Sequence, residues 1–164
     1  MLNQLSHLFL TVCRINRFGA ALNRITYAVE FRTETSVPER EKGPFFTAAR
    51  TGEQFLRQHG CQEQARMDCE LVLVEGCNNA IKHTNAESAR EPVIVEVRVE
   101  PDEIELRITD HGPGFAWPDT AHLPEPDKES GRGLYLICAL TDYAAYVRQS
   151  TENTLVLRKK RSAA

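Results

Sequence analysis

Alternating apolar and polar residues predict the strands of this chain. Residues 93–99 place valine at every second position, and after Pro101-Asp102 residues 104–109 alternate in the same way. Successive side chains of a strand point to opposite faces of a sheet. This segment is therefore predicted to be a hairpin with one aliphatic and one largely charged face, covered on one side only. Shorter alternating segments predict further strands at 27–32, 143–149 and 154–160.

Apolar residues at helical spacing predict three helices, at 36–60, 62–83 and 131–140. Between residues 110 and 130 the periodicity disappears, and a loop of this length is typical of a functional lid or a disordered segment. The elements follow in the order strand, helix, helix, two strands, loop, helix and two strands. This order predicts an α+β fold: a two-layer α/β sandwich in which about three helices cover one face of a mixed, mostly antiparallel sheet.

Length and composition narrow the class of protein. The 164 residues fit one domain, which we expect to span 27–164, with 1–26 as a helical or disordered N-terminal extension. The formal net charge of -3 argues against a direct nucleic-acid partner. No apolar run approaches the roughly 18 residues of a membrane helix, so no membrane partner is expected. The five cysteines include no C-x-x-C pair and indicate reduced thiols in a cytoplasmic protein.

The first segment with candidate chemistry lies at the end of the second predicted helix. Glu75 and Asn79 are four residues apart and share a helix face, and Lys82 and His83 lie near that face one turn further on. A carboxylate, an amide oxygen and a cation in this order suit a general base, a metal ligand and a phosphate contact. A solvated polar helix face would show the same pattern.

Two glycine-containing segments follow at element boundaries. Residues 110–114, Asp-His-Gly-Pro-Gly, come directly after a strand, where a carboxylate can accept a hydrogen bond from an amino group and glycines let a ligand approach the backbone. Residues 131–134, Gly-Arg-Gly-Leu, open a helix, whose first N–H groups form an anion site to which Arg132 adds a charge. The alternative for residues 110–114 is a plain turn, and the alternative for residues 131–134 is a glycine-rich hinge. The three segments in this order are a more specific indication of a functional site than any one of them alone.

Together, the segments resemble the N, G1 and G2 boxes of the GHKL superfamily, the ATP-binding fold of gyrase, heat-shock chaperones, histidine kinases and mismatch-repair ATPases. The resemblance covers residues 27–160. Within the superfamily the chain is most similar to the bacterial anti-sigma-factor serine kinases of the RsbW and SpoIIAB kind, because histidine kinases usually carry asparagine where Glu75 stands. Lys82 departs from this likeness, since a lysine here is more typical of histidine kinases.

The resemblance implies ATP and Mg²⁺ as cofactors and assigns roles to individual residues. Glu75 would be the catalytic base, and Asn79 would bind both the nucleotide and Mg²⁺. Asp110 would hold the adenine amino group together with a water that Thr154 also contacts. The other implied nucleotide contacts are Lys82, His83, Gly112, Gly114, Gly131, Arg132, Gly133 and Leu134.

The function implied by the resemblance is that of an ATP-dependent protein serine/threonine kinase in a partner-switching system. Such an anti-sigma regulator would phosphorylate a serine on a STAS-domain antagonist and would sequester a sigma factor or another regulatory protein. A homodimer is also consistent with the family. Two alternatives remain open: an ATP-binding module that sequesters a partner without significant kinase activity, and a free-standing catalytic domain of a histidine kinase.

Overall fold

The computed structural model describes residues 15–21, 23–29, 44–85, 88, 91–118 and 131–161. These residues form six strands and three helices: β1 Ile15–Ala21, β2 Arg24–Val29, α1 Pro44–Gln58, α2 Glu63–Lys82, β3 Val93–Val99, β4 Glu103–Asp110, α3 Arg132–Leu140, β5 Tyr143–Arg148 and β6 Asn153–Lys160. The strands form one sheet in the order β1-β2-β3-β4-β6-β5, and every neighbouring pair is antiparallel.

The hairpin of β3 and β4 has the two faces that its alternation predicts. The valines of β3 are buried and the residues between them are half-buried. Val95 lies opposite Ile108 and Val97 lies opposite Leu106, so the aliphatic faces of both strands form one surface. The helices pack on this surface, with Leu73 of α2 fully buried in the shared core. The predicted two-layer α+β sandwich is confirmed.

The N-terminal end of the sheet differs from the prediction. The sequence predicts a helical or disordered extension at 1–26, but residues 15–21 form β1, and β2 begins at Arg24. The register of β1 against β2 shifts between Arg17 and Gly19, as in a β-bulge. Such a shift interrupts the alternation of side chains, which is why the pattern of this segment did not reveal a strand. Residues 1–14 lie outside the described part of the chain.

The boundaries of α2 and α3 agree closely with the predicted ones, and α1 ends at Gln58, two residues before the predicted end at 60. α2 was predicted at 62–83 and α3 at 131–140, and each differs by one residue or less at its ends. Three predicted stretches lie outside the described part of the chain: 36–43 of the first helix, 30–32 of the first strand and 119–130 of the loop. Among the described helices, none combines the length and the apolar character needed to cross a membrane.

Candidate functional site

Asp110, the last residue of β4, carries a buried carboxylate that is 5% exposed. Its Oδ1 atom accepts a hydrogen bond from the Gly112 N–H at 2.8 Å and another from Asn153 Nδ2 at 3.0 Å. Within the described residues, no donor reaches Oδ2. Since a buried carboxylate is stable only when donors satisfy it, Oδ2 is the acceptor available to an amino group of a ligand.

Asn153 is a residue of this site that the sequence analysis missed. It is 3% exposed, and β4 and β6 pair so that it lies directly opposite Asp110. Its Nδ2 atom also donates to the Gly112 carbonyl at 2.9 Å. The predicted strand begins at Thr154, one residue after the observed start of β6 at Asn153. Only the register between two strand ends that are distant in the chain reveals the contact.

In this register Thr154 lies opposite Thr109, whereas Asn153 lies opposite Asp110. Oγ1 of Thr154 lies 3.0 Å from Oγ1 of Thr109, the residue directly opposite it on β4. Neighbouring side chains of a strand point to opposite faces, so Thr154 and Thr109 lie on the face away from Asp110. Asn153 is therefore the residue of β6 that contacts Asp110 directly, and the contact of Thr154 with a shared water stays a prediction.

The loop after Asp110 is attached to the end of the hairpin of β5 and β6. Arg148 Nη2 donates to the Pro113 carbonyl at 2.8 Å. Gly114 has a φ of 72°, and a Cβ atom there would lie 2.8 Å from Asn153 Oδ1 and 2.9 Å from Arg148 Nε. Glycine is therefore required both by the left-handed backbone and by the close approach of the hairpin.

Aromatic side chains pack against one another at the same loop. His83, directly after α2, stacks on Phe115 with ring centroids 4.6 Å apart, and Phe115 contacts Tyr146 at 4.4 Å. Burial lowers the pKa of His83, and the charge of Lys82 lowers it further, against the opposing effect of Asp110. Burial, with a smaller contribution from Asp110, raises the pKa of Tyr146 to about 12. At neutral pH the ring of His83 is therefore neutral and Tyr146 keeps its proton.

Glu75 and Asn79 lie on α2, and Glu75 faces the beginning of α3. A Cβ atom on Gly133 would collide with Glu75 Oε2, so the first turn of α3 lies directly against this carboxylate. The Asn79 side-chain nitrogen is buried and has no hydrogen-bond partner in the part of the chain that the structure describes. A buried polar atom of this kind is normally paired, which points to a ligand that completes its surroundings.

The beginning of α3 carries the other predicted phosphate contacts. Gly131, at the N-cap position, has a φ of 97° and no side chain that could cap the first N–H groups of the helix. Uncapped N–H groups at a helix start favour an anion. Leu134 is half-buried and packs against the core. Arg132 and Lys82 are exposed, so both charged groups lie at the surface of the protein.

α2 connects the three segments. Near its middle, Glu75 contacts Gly133 of the third segment. Beyond its end, the His83 carbonyl lies 2.8 Å from the position of a Cβ on Gly112, in the second segment. Glu75 and His83 are eight positions apart, which corresponds to about 12 Å along a helix. An elongated ligand that spans this length would reach a buried carboxylate at one end and the beginning of α3 at the other.

The fold and this arrangement define a nucleotide-binding domain of the ATPase type. Residues 45–159 match the histidine kinase-like ATPase domain, and the chain belongs to this family. Membership implies ATP as the ligand, and residues 45–159 contain all three predicted segments.

One solved structure extends the comparison at the level of the fold. The crystal structure of the RsbU and RsbW domains of Rv1364c from Mycobacterium tuberculosis aligns with a TM-score of 0.55 and 17% sequence identity. The alignment covers 72% of this chain and 29% of that chain, so the protein spans less than a third of that chain's length. None of the curated proteins compared with the chain gives a significant match.

Proposed function

We propose that the protein is an ATP-dependent protein serine/threonine kinase that acts as a partner-switching regulator. The observation that carries the proposal is the contact between Glu75 and the first turn of α3. It puts a carboxylate beside the N–H groups that would hold a phosphate chain. A carboxylate at this point is the group needed to remove a proton from an attacking hydroxyl.

The described residues fit ATP with Mg²⁺. Asp110 Oδ2 would accept a hydrogen bond from the adenine amino group, while Gly112 and Gly114 shape the loop beside the base. The amide of Asn79 would turn its oxygen to Mg²⁺, which usually takes one or two protein oxygens and completes its shell with phosphate and water. Its buried nitrogen supports this role, because no hydrogen bond within the described residues holds that end of the amide in place.

The remaining predicted contacts follow the phosphate chain. The backbone N–H groups of Gly131 and Gly133 would bind phosphate oxygens, and the exposed cations Lys82 and Arg132 would add charge at the rim of the site. His83 would act through its stacking on Phe115, as a neutral wall beside the base.

The chemistry of this chain's own residues centres on Glu75. Its carboxylate would take the proton of a serine hydroxyl as the serine oxygen attacks, and would later release that proton to water. ATP with Mg²⁺ supplies the phosphoryl group that passes to the serine oxygen, and ADP leaves. Most of the acceleration would come from holding the hydroxyl, the carboxylate and the helix start in one geometry.

The proposed protein substrate is a serine on a STAS-domain anti-sigma antagonist, and the alternate partner is a sigma factor or another regulatory protein. The likeness in fold to a structure that contains an RsbW domain supports this choice. A phosphoserine adds about -1.5 to -2 charges and would weaken the complex with the antagonist by repulsion and desolvation. We further propose that this exchange takes place in the cytoplasm and that the kinase forms a homodimer.

The test is phosphoryl transfer from labelled ATP to candidate STAS-domain proteins, with phosphoamino-acid analysis of the product. Acid-stable phosphoserine made by wild type and lost in Glu75→Gln is the expected result. Glu70→Gln, the same change on the same helix, is the matched control and should transfer normally. Tight ATP-dependent binding without transfer would instead identify a sequestering module. Acid-labile phosphohistidine on a partner would identify the catalytic domain of a histidine kinase.

A further inference from the structure

The side-chain amide of Asn153 joins the two parts of the base-binding loop. Its nitrogen has two hydrogens, and their acceptors are Asp110 Oδ1 at 3.0 Å and the Gly112 carbonyl at 2.9 Å. Both neighbours can only accept, so the nitrogen and not the oxygen of the amide must face them. The orientation of Asn153 is therefore determined by its surroundings.

Strand stability alone does not account for an asparagine at this position. Asn153 lies on the inner face of β6, two and four residues before the buried Leu155 and Leu157. A polar group buried on an apolar face lowers stability unless hydrogen bonds offset its desolvation. Its two donated hydrogen bonds go to the carboxylate and to the loop, so its orientation is linked to the carboxylate of Asp110.

The carboxylate of Asp110 needs an external constraint. The terminal torsion of an aspartate side chain is broad, so either oxygen could turn toward a ligand. The Gly112 N–H and Asn153 Nδ2 both donate to Oδ1, and together they hold Oδ2 in one direction. A fixed acceptor favours a purine with an amino group at position 6 and disfavours one with an oxygen there, because two acceptors repel each other.

We propose that Asn153 is a positioning residue that determines selectivity for 6-aminopurine nucleotides by orienting Asp110. The proposal rests on the nucleotide site of the proposed function. Arg148 supports it from the neighbouring strand: it lies opposite Asn153 in the pairing of β5 with β6 and donates to the Pro113 carbonyl at 2.8 Å. One cross-strand pair thus holds both the carboxylate and the loop that follows it.

The test compares two nucleotides that differ only at position 6 of the base. ATP and purine riboside triphosphate, which has hydrogen in place of the amino group, are titrated with Mg²⁺ into wild type and Asn153→Ala by calorimetry. Asn153→Ala should bind ATP about tenfold more weakly, the size of effect expected for one hydrogen bond to a charged group. Its affinity for purine riboside triphosphate should stay within about twofold of wild type, because that ligand does not use the Asp110 acceptor.

Asn23→Ala is the matched control. Asn23 donates to Glu100 at the opposite end of the strands and should bind both nucleotides as wild type does. If Asn153→Ala weakens both nucleotides equally, or weakens neither, the positioning role is refuted. If circular dichroism shows that Asn153→Ala does not fold, the test uses Asn153→Val instead. Valine is favoured in strands and has no hydrogen-bond donor in its side chain. Failure of wild type to bind any adenine nucleotide would instead refute the proposed function itself.

Discussion

Replacing Gly133 by alanine should separate the stability of the protein from its catalytic activity. The new Cβ would collide with Glu75 Oε2, but it would lie 3.4 Å from Glu75 Cδ and 3.8 Å from Glu75 Cβ. Rotating the end of the glutamate side chain therefore relieves the collision, at a cost of about 0.5–1.5 kcal/mol for an unfavourable rotamer. Alanine instead of glycine inside a helix contributes about 0.5–1 kcal/mol in the opposite direction. The free energy of unfolding should thus stay within about 1 kcal/mol of wild type.

Transfer should respond far more strongly, because the same rotation moves the proposed base away from the beginning of α3. A displacement of about 1 Å in a catalytic group can lower a rate about 100-fold. The assay pairs urea unfolding with single-turnover phosphoryl transfer for wild type, Gly133→Ala, Glu75→Ala and the double variant. In the Glu75→Ala background the added methyl meets no carboxylate, so Gly133→Ala should have almost no further effect on the rate. Transfer at the wild-type rate by stable Gly133→Ala would show that the contact has no part in the reaction.

Three further predictions concern the carboxylate, the packing of α3 and pH. Asp110→Asn should weaken ATP binding about 10- to 100-fold in calorimetry, because it removes the charged acceptor; Asp102→Asn, in an exposed turn, should bind normally. Lys159→Met should lower the free energy of unfolding by about 2 kcal/mol in urea titrations, the cost of leaving a buried acceptor without its donor. Lys159 Nζ donates to the Leu140 carbonyl at 2.9 Å and lies 2.8 Å from the Asp68 carboxylate. Without the lysine, Gln64 is the one described side chain that still contacts the buried carboxylate of Asp68. An unchanged urea midpoint would contradict this prediction. Burial lowers the pKa of His83 in the folded protein below its usual 6.5. As the pH falls, His83 of the unfolded chain is therefore protonated at a higher pH than His83 of the folded protein. The stabilising effect of the neutral ring is complete above pH 6.5 and is lost as the pH falls below it, so His83→Gln should flatten this part of the pH profile of the urea midpoint.

Some elements follow from local pattern alone. The strict alternation of β3 and β4 predicts a hairpin with one buried face, and the structure has it. The apolar spacing predicts that Glu75 and Asn79 share one helix, and both residues lie on α2. β1 escaped prediction because its register shift interrupts the alternation on which such predictions depend.

The sequence by itself determined which residues share a face of one helix or strand, because periods of 3.6 and 2 residues are properties of the local backbone. It also determined the family, through three short segments that occur in order within residues 45–159. Only the tertiary structure decided which faces meet. The contact of Glu75 with Gly133 depends on the packing of α2 against α3, and the bond from Asn153 to Asp110 depends on the register of β6 against β4. Such contacts join residues more than forty positions apart, where the choice is made by the burial of the whole core and not by any local pattern.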